Sequence, residues 1–343
     1  MIANPAPDCT DPGQSYTDHL EQARRLAANR LLRPNYYANV VGVGIGKRLK
    51  AGESTPTDCI RVYVLTKSDA EDLSPATMVP GDFLDIPTDI IEIGRFGQGG
   101  HRPIPFDANS VVGPGDPIRV STDASNVNSG FTGTLGAIVQ DGAYQRYILS
   151  CNHVLAVNDR VPMGANIVST LASKNQKTIA DRDAAIRLKR EASNTADCAL
   201  ARLPADSNLV NDKIQERTPG QKRAIPCKSE KTIDPQRDMK VEKLGAVTGK
   251  TQGTILDVDV ELYVDYSFGT FRFEKQVMID GGPNSLFARG GDSGSLVVDM
   301  ATHQATAMIF AASGRYAVAC PIRQVLDELS DEVKGTLTLV PWS

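Results

Sequence analysis

From about residue 111 onward, short β-rich runs follow one another, and turns rich in Gly, Asn and Asp separate them. These runs cover residues 134–140, 146–150, 198–203, 254–264, 270–279, 295–298, 305–310 and 316–319. An amphipathic pattern at residues 321–329 predicts one closing helix. Many short strands with few helices favour an all-β sandwich or barrel.

The first hundred residues have a different pattern. Apolar residues recur near helical spacing over residues 17–33, and Pro34 ends the run. Residues 39–45 and 59–66 predict a strand pair, residues 68–73 a short helix, and residues 88–93 a third strand. Residues 97–105 have the composition of a linker. We therefore predict two domains, an N-terminal helix with a small α/β module and linker over residues 1–110, and a β domain over residues 111–343.

Charge and cysteine usage exclude several classes of protein. The formal net charge of −4 provides no general attraction to nucleic acid or to anionic membranes, so neither is an expected partner. No apolar run approaches the roughly 18 residues of a membrane span, and no signal peptide is visible near the start. Six cysteines without a C-x-x-C pair or metal-ligand spacing predict no metal site and a reduced, cytoplasmic location.

Three segments carry residue types that suit acyl transfer. The first delivers His153 at the end of an apolar run, the second places Asp197 before another, and the third holds Ser293 in a Gly-rich turn. A serine hydroxyl is a weak nucleophile until an imidazole removes its proton, and a carboxylate fixes the tautomer of that imidazole. Glycines beside the serine let neighbouring backbone N–H groups converge on a developing oxyanion.

These segments read L-S-x-N-H-V-L, D-C-A-L-A-R-L and G-D-S-G-S, and they resemble the signature blocks of trypsin-like serine proteases. The resemblance covers roughly residues 111–330, and the whole chain is similar to bacterial relatives of the plant narrow-leaf type of these proteases. It implies a double β-barrel of the chymotrypsin/trypsin type, with the triad in the cleft between two six-stranded barrels. It also implies hydrolysis of peptide bonds without a cofactor.

The resemblance assigns roles residue by residue. His153 matches the general base, Asp197 its orienting carboxylate, and Ser293 the nucleophile. The N–H groups of Gly291 and Ser293 match the oxyanion hole, and Asp292 matches the buried acid that shapes the turn.

The resemblance also locates a substrate pocket and the departures from the family's pattern. Phe287 stands where a trypsin carries an aspartate, and Ala311, Ala312 and Ser313 fall at the later pocket wall, so an uncharged side chain is expected at the cleavage site. Val154 replaces the cysteine of extracellular relatives, in agreement with a reduced compartment. No activation motif lies near His153, so zymogen cleavage is not expected, and the partner of Asp292 is left open.

Three hypotheses stay open from the sequence. The first is an active serine endopeptidase acting on protein or peptide substrates. The second is a protease fold that has lost activity and binds peptides. The third is a latent protease that an activating partner, or self-association through the N-terminal module, switches on.

The 245–251 segment looks superficially like a phosphate-binding loop, but its glycine spacing is one residue short, which favours a turn beside a strand.

Overall fold

Strands dominate both parts of the chain, as the β-rich runs predict. The computed structural model describes residues 12–33, 35–50, 53–74, 76–96, 111–121, 132–169, 178–205, 207–208, 210 and 227–342. The chain divides into two units, Met1–Glu92 and Ile93–Ser343. The predicted linker at residues 97–105 and Cys9 lie outside the described residues, and the predicted domain boundary at residue 110 stays a prediction.

The first unit is one helix on a small mixed sheet. Helix α1 spans Pro12–Leu31, and the strands are β1 (Val40–Lys50), β2 (Glu53–Val64), β3 (Asp82–Phe83) and β4 (Ile86–Glu92). Their order is β1-β2-β4-β3, where β1 and β2 form the predicted antiparallel pair and β4 runs parallel to β2. Helix α1 packs against β1 and β2. The predicted helix at residues 68–73 is a single 3-10 turn at Ala70–Asp72.

The second unit begins with a barrel of short strands. They are β5 (Pro117–Val120), β6 (Gly133–Thr134), β7 (Ala137–Gln140), β8 (Arg146–Ser150), β9 (Asn166–Ser169), β10 (Thr178–Ala185) and β11 (Ala199–Arg202). Strands β6 and β7 are two halves of one bent strand: β6 pairs with β5 and β7 pairs with β8. Because β8, β11, β10, β9 and β5 pair in that order, this bent strand closes a six-stranded barrel.

A second barrel follows, and it is fully antiparallel. Its strands are β12 (Lys240–Gly245), β13 (Gly249–Tyr266), β14 (Gly269–Asp280), β15 (Leu296–Asp299), β16 (Ala305–Ser313) and β17 (Tyr316–Pro321). Their order is β12-β15-β16-β17-β14-β13, and β12 also pairs with β13, which closes the ring. The β13–β14 hairpin is far longer than its neighbours, so its tip projects beyond the barrel wall. The interior is apolar, and Val241, Ile255, Val277 and Val297 are among its buried residues.

Two closed six-stranded barrels make this unit a double β-barrel of the chymotrypsin/trypsin type, as predicted. The predicted closing helix is α3 (Ile322–Val333), which buries Ile322, Val325, Leu326 and Leu329. A further short strand, β18 (Thr338–Leu339), pairs with the outer edge of β7. Within the described residues, no helix combines the length and the apolar character needed to cross a membrane.

The sequence prediction missed strands β3, β5, β9, β10, β12 and β18. Each is short or carries charged residues, as in the T-I-A-D-R-D-A-A sequence of β10, so the apolar alternation is weak. The 245–251 segment is the predicted turn, since it joins β12 to β13 as a hairpin.

Candidate active site

His153 lies on a one-turn helix directly after a strand of the first barrel. This helix, α2, spans Asn152–Leu155. The Asn152 amide anchors it, because its Nδ2 donates to Ile186 O at 2.6 Å and its Oδ1 accepts from Asn158 N at 2.7 Å. His153 is only 2% exposed, so the surrounding chain fixes the place of its imidazole.

Asp197 precedes β11 and meets His153 through two hydrogen bonds. The His153 Nδ1 lies 2.6 Å from Asp197 Oδ2, and the His153 backbone N–H donates to Oδ1 at 3.1 Å. The Asp197 side chain is fully buried. When Nδ1 carries the proton shared with the carboxylate, the neutral ring has its lone pair on Nε2. The arrangement therefore prepares His153 to accept a proton at Nε2.

Ser293 lies in the turn that precedes β15 in the second barrel. It is 8% exposed, and its Oγ donates to Phe310 O at 3.4 Å. Gly291 and Gly294 on either side have φ values of 99° and 95°, a region that favours glycine. A Cβ on Gly294 would lie 2.2 Å from Ser150 Oγ, so only glycine permits this close approach of the two barrels.

The Ser293 turn lies against the residues on both sides of His153. Cys151 Sγ and Gly294 N both donate to the Ile309 carbonyl, at 3.3 and 2.7 Å. A Cβ placed on Gly133 would contact both the Val154 side chain and Ser293 O. The structure thus joins His153 to Asp197 by hydrogen bonds and brings the Ser293 turn to the same junction between the barrels.

Thr134, on β6 of the first barrel, holds the Ser293 turn. Its N–H donates to Ser293 O at 2.8 Å and its Oγ1 donates to Gly291 O at 2.9 Å. In the part of the chain that the structure describes, neither the Gly291 N–H nor the Ser293 N–H is used in a hydrogen bond. These are the two donors that the family resemblance assigns to an oxyanion hole.

Asp292 has a partner that the sequence left open. Its side chain and that of Lys243 are both fully buried, and Lys243 Nζ lies 3.3 Å from Asp292 Oδ2. Oδ1 accepts from Val247 N at 2.9 Å and Thr248 N at 3.1 Å, and Oδ2 accepts from Thr248 Oγ1 at 2.7 Å and Arg289 N at 3.0 Å. The carboxylate therefore has its cation and its hydrogen-bond donors within the folded chain.

The predicted pocket residues fall in two different environments. Phe287 is fully buried and packs in the core of the second barrel, so its place in a substrate pocket stays a prediction. Ala311, Ala312 and Ser313 end β16. Strand β15 covers β16 only as far as Met308, and among the described residues no strand lies beside this edge beyond Ile309. That edge can take an extended peptide by adding a strand.

Three thiols surround the Asp197 carboxylate. Burial raises the pKa of Cys151 well above its usual range, and the charge of Asp197 adds to the effect. Burial likewise raises the pKa of the Cys198 and Cys320 thiols well above theirs. Side-chain atoms of Cys151, His153 and Asp197 that could bind a metal ion lie within 4.8 Å of one another. His153 and Asp197, however, are already hydrogen-bonded to each other. A neutral thiol is a poor nucleophile and a poor metal ligand. As a candidate nucleophile, Ser293 is therefore favoured over Cys151.

The sequence prediction missed Lys243, Thr248 and Tyr266. The only local signal for Lys243 is a lysine inside the short K-V-E-K-L-G strand. Thr248 lies in the turn that superficially looked like a phosphate loop. Tyr266, at the end of β13, donates from its hydroxyl to Asp197 Oδ2 at 2.8 Å, and nothing near it in the sequence marks this role.

Comparisons with solved structures find bacterial serine proteases at low sequence identity. Thermobifida fusca protease A matches at 17% identity and a TM-score of 0.46, covering 68% of this chain and 100% of its own. A glutamic acid-specific serine protease matches at 18% and 0.44, covering 67% and 100%, and a Nocardiopsis protease at 14% and 0.45, covering 67% and 99%.

The chain is similar to these structures at low identity. The assignment of a double β-barrel rests on the strand order and on the closure of both barrels. No protein-family model matches the chain, and no curated protein matches it in sequence.

The buried Lys243–Asp292 pair leads to a stability prediction. Lys243→Met leaves a buried carboxylate without its cation, so we expect the free energy of unfolding to fall by about 3–5 kcal/mol. Lys240→Met is the matched control, because Lys240 lies on the same strand but is exposed, and its Nζ donates to Thr254 Oγ1 rather than to a buried carboxylate. It should change stability by no more than about 0.5 kcal/mol. Urea unfolding measures both, and equal losses would contradict the assignment.

The raised thiol pKa values predict chemical inertness. A thiol below its pKa is protonated, and only the thiolate alkylates, so Cys151, Cys198 and Cys320 should resist iodoacetamide in the folded protein at about pH 8. After unfolding in guanidinium, the same three should react. Mass spectrometry of the alkylated peptides checks each site, and rapid native labelling of Cys151 would point to a thiol nucleophile instead.

Proposed function

We propose that this protein is a serine endopeptidase that hydrolyses peptide bonds with His153, Asp197 and Ser293. The observation that carries the proposal is the buried 2.6 Å hydrogen bond between His153 Nδ1 and Asp197 Oδ2. This pair lies in the first barrel, at the junction where the Ser293 turn of the second barrel contacts the residues beside His153. A carboxylate in this position orients the imidazole and stabilises its charged form.

The proposed reaction follows from these contacts. Ser293 Oγ attacks the peptide carbonyl carbon while His153 Nε2 takes the hydroxyl proton. The carbonyl oxygen becomes an oxyanion that accepts from the N–H groups of Gly291 and Ser293. His153 then gives the proton to the leaving amine, and an acyl-serine ester remains. Water, activated by the same imidazole, hydrolyses this ester and restores Ser293.

We also propose where the substrate lies. The edge of β16 at Ala311 and Ala312 would pair with an extended peptide, and its orientation would present a carbonyl to Ser293. Ser313 ends this edge, and its Oγ donates to Ile93 O at 2.6 Å. The residues at this edge are small, and together with Phe287 they carry no charge, which favours an uncharged side chain at the cleavage site.

Membership in a family, location and domain roles are further parts of the proposal. The motif order supports a relationship to bacterial relatives of the plant narrow-leaf type of trypsin-like protease. Five cysteines that are buried as free thiols support a reducing, cytoplasmic setting. Residues 1–110 would act as a separate module that recruits an activating partner or a second copy of the chain, beside a catalytic domain over residues 111–343.

We propose that any latency acts on access to the cleft rather than on the nucleophile turn. Asp292 already has Lys243 as its cation and backbone donors on both oxygens. A cleaved amino terminus would find no vacant charge to neutralise. Regulation through residues 1–110 would therefore leave the turn itself unchanged.

A peptide-binding protein without catalysis is the alternative function. The observation that favours it is that the Ser293 hydroxyl donates to Phe310 O, at 3.4 Å. In such a protein the β16 edge would hold peptides and Ser293 would remain unreactive. Labelling with an active-site probe separates the two functions.

An active nucleophile predicts labelling by a fluorophosphonate at Ser293 alone. Ser293→Ala should abolish labelling and lower kcat by about 10⁶-fold, because the triad acts as a unit. Ser285→Ala, which removes an exposed hydroxyl just upstream of the turn, should label like the wild type. The readout is the mass of the labelled peptide. Labelling that survives Ser293→Ala would refute the assignment, and peptide binding without labelling would favour the alternative.

The internal partner of Asp292 predicts that cleavage is not required for activation. The purified full-length chain should react with the probe while its intact mass is that of the whole sequence plus one adduct. Intact-mass spectrometry before and after labelling tests this. Adducts found only on trimmed chains would mean that an amino-terminal cut is needed after all.

A further inference from the structure

Asp197 receives a third hydrogen bond from a distant element of the second barrel. Tyr266 ends β13, at the tip of the long β13–β14 hairpin, and its hydroxyl donates to Asp197 Oδ2 at 2.8 Å. Tyr266 is 6% exposed and Asp197 is fully buried, so water competes little for this bond. The same Oδ2 lies 2.6 Å from His153 Nδ1.

The ring of Tyr266 also contacts the imidazole. The centroids of Tyr266 and His153 are 5.5 Å apart, and the planes meet at 64°, an edge-to-face arrangement. Tyr266 therefore touches both members of the pair, with its hydroxyl on the acid and its ring beside the base. A residue that only filled space would not need a hydroxyl aimed at the carboxylate.

Aromatic neighbours hold Tyr266 in this position. Its ring stacks on Phe268 at 5.0 Å and meets Phe271 edge-on at 5.6 Å. Two arginines from loops of the first barrel hold the hairpin tip. Arg160 lies over the Phe268 ring at 5.5 Å, and Arg190 donates to the Phe268 carbonyl and lies over Phe271 at 5.7 Å. The phenol is thus fixed from both barrels.

We propose that Tyr266 is a positioning residue of the triad, whose hydroxyl fixes the Asp197 carboxylate in the plane that His153 Nδ1 requires. This inference rests on the proposed function of the triad. With Tyr266 in place, Oδ1 accepts from the His153 backbone and Oδ2 accepts from the imidazole and the phenol. These donors on both oxygens restrict rotation of the carboxylate about its Cβ–Cγ bond.

Burial and the nearby charge of Asp197 keep the Tyr266 hydroxyl protonated, so that it can donate a hydrogen bond. Burial raises the pKa of Tyr266 well above its usual value, and the negative charge of Asp197 and the hydrogen bond to it act in the same direction. The other titratable groups that face it are His153 and the thiols of Cys151 and Cys320. The phenol therefore stays protonated and keeps donating beyond the pH at which a solvent-exposed tyrosine ionises.

Removing the hydroxyl has a defined electrostatic consequence. Without it, Asp197 loses a donor that spreads its negative charge, so the carboxylate attracts the protonated imidazole more strongly. The charged form of His153 gains stability relative to the neutral base. The acid limb of the rate profile should then move to higher pH, and a less ordered carboxylate should lower kcat.

The test is Tyr266→Phe in the full-length protein, which keeps the ring and removes the hydroxyl. We expect kcat on a chromogenic peptide to fall roughly tenfold with little change in KM, and the acid limb of kcat/KM to shift upward. Fluorotyrosine at position 266, a stronger donor of nearly the same size, should shift that limb downward. Tyr147→Phe is the matched control, since Tyr147 is also a buried tyrosine, but its OH donates to Asp141 Oδ2 at 3.2 Å and not to a member of the proposed triad.

A second readout keeps the inference testable apart from catalysis. The downfield NMR signal of the His153 Nδ1 proton should shift in Tyr266→Phe and not in Tyr147→Phe. If the wild type neither labels nor turns over, the proposed function fails, and the NMR signal still decides the role of Tyr266. If the wild type is active but Tyr266→Phe retains its pH profile, kcat and NMR signal, the positioning role is wrong.

Discussion

The buried carboxylate of Asp197 is the constraint on which the candidate site depends. A charged group without access to water is costly to bury unless donors meet its oxygens. The donors here come from the His153 helix in the first barrel and from Tyr266 in the second. The third of these donors reaches the carboxylate because the β13–β14 hairpin extends to it. The unusual length of that hairpin is therefore part of the site.

Each barrel supplies a hydrogen-bond donor to the candidate site residues of the other. The second barrel supplies the Tyr266 hydroxyl to Asp197 in the first, and the first barrel supplies Thr134 to the Ser293 turn of the second, where it donates to the carbonyls of Gly291 and Ser293. Neither barrel alone orders the half of the site that it carries, so the chemistry belongs to their junction.

The order of the three motifs and the β-rich runs allowed the double barrel and the candidate triad to be predicted from the sequence. Those features are local: an apolar run forms a strand wherever it pairs, and a Gly-rich turn stays a turn. Lys243 and Tyr266 could not be found this way, because their partners are 49 and 69 residues away and are selected only by tertiary packing. The pocket role of Phe287 stays a prediction, because its spacing from Ser293 does not determine the direction of the side chain and its buried ring packs in the core of the second barrel.

Lys243 lies on the strand that closes the second barrel and forms an ion pair with Asp292 in the Ser293 turn. Strand β12 carries Lys243 and is the strand that completes the ring, since it pairs with both β13 and β15. The turn after β12 supplies Val247 and Thr248 to the same carboxylate. Asp292 therefore acquires its cation and most of its donors only when β12 takes its place. The turn that holds Ser293 is therefore stabilised by residues that closure of the second barrel brings to it.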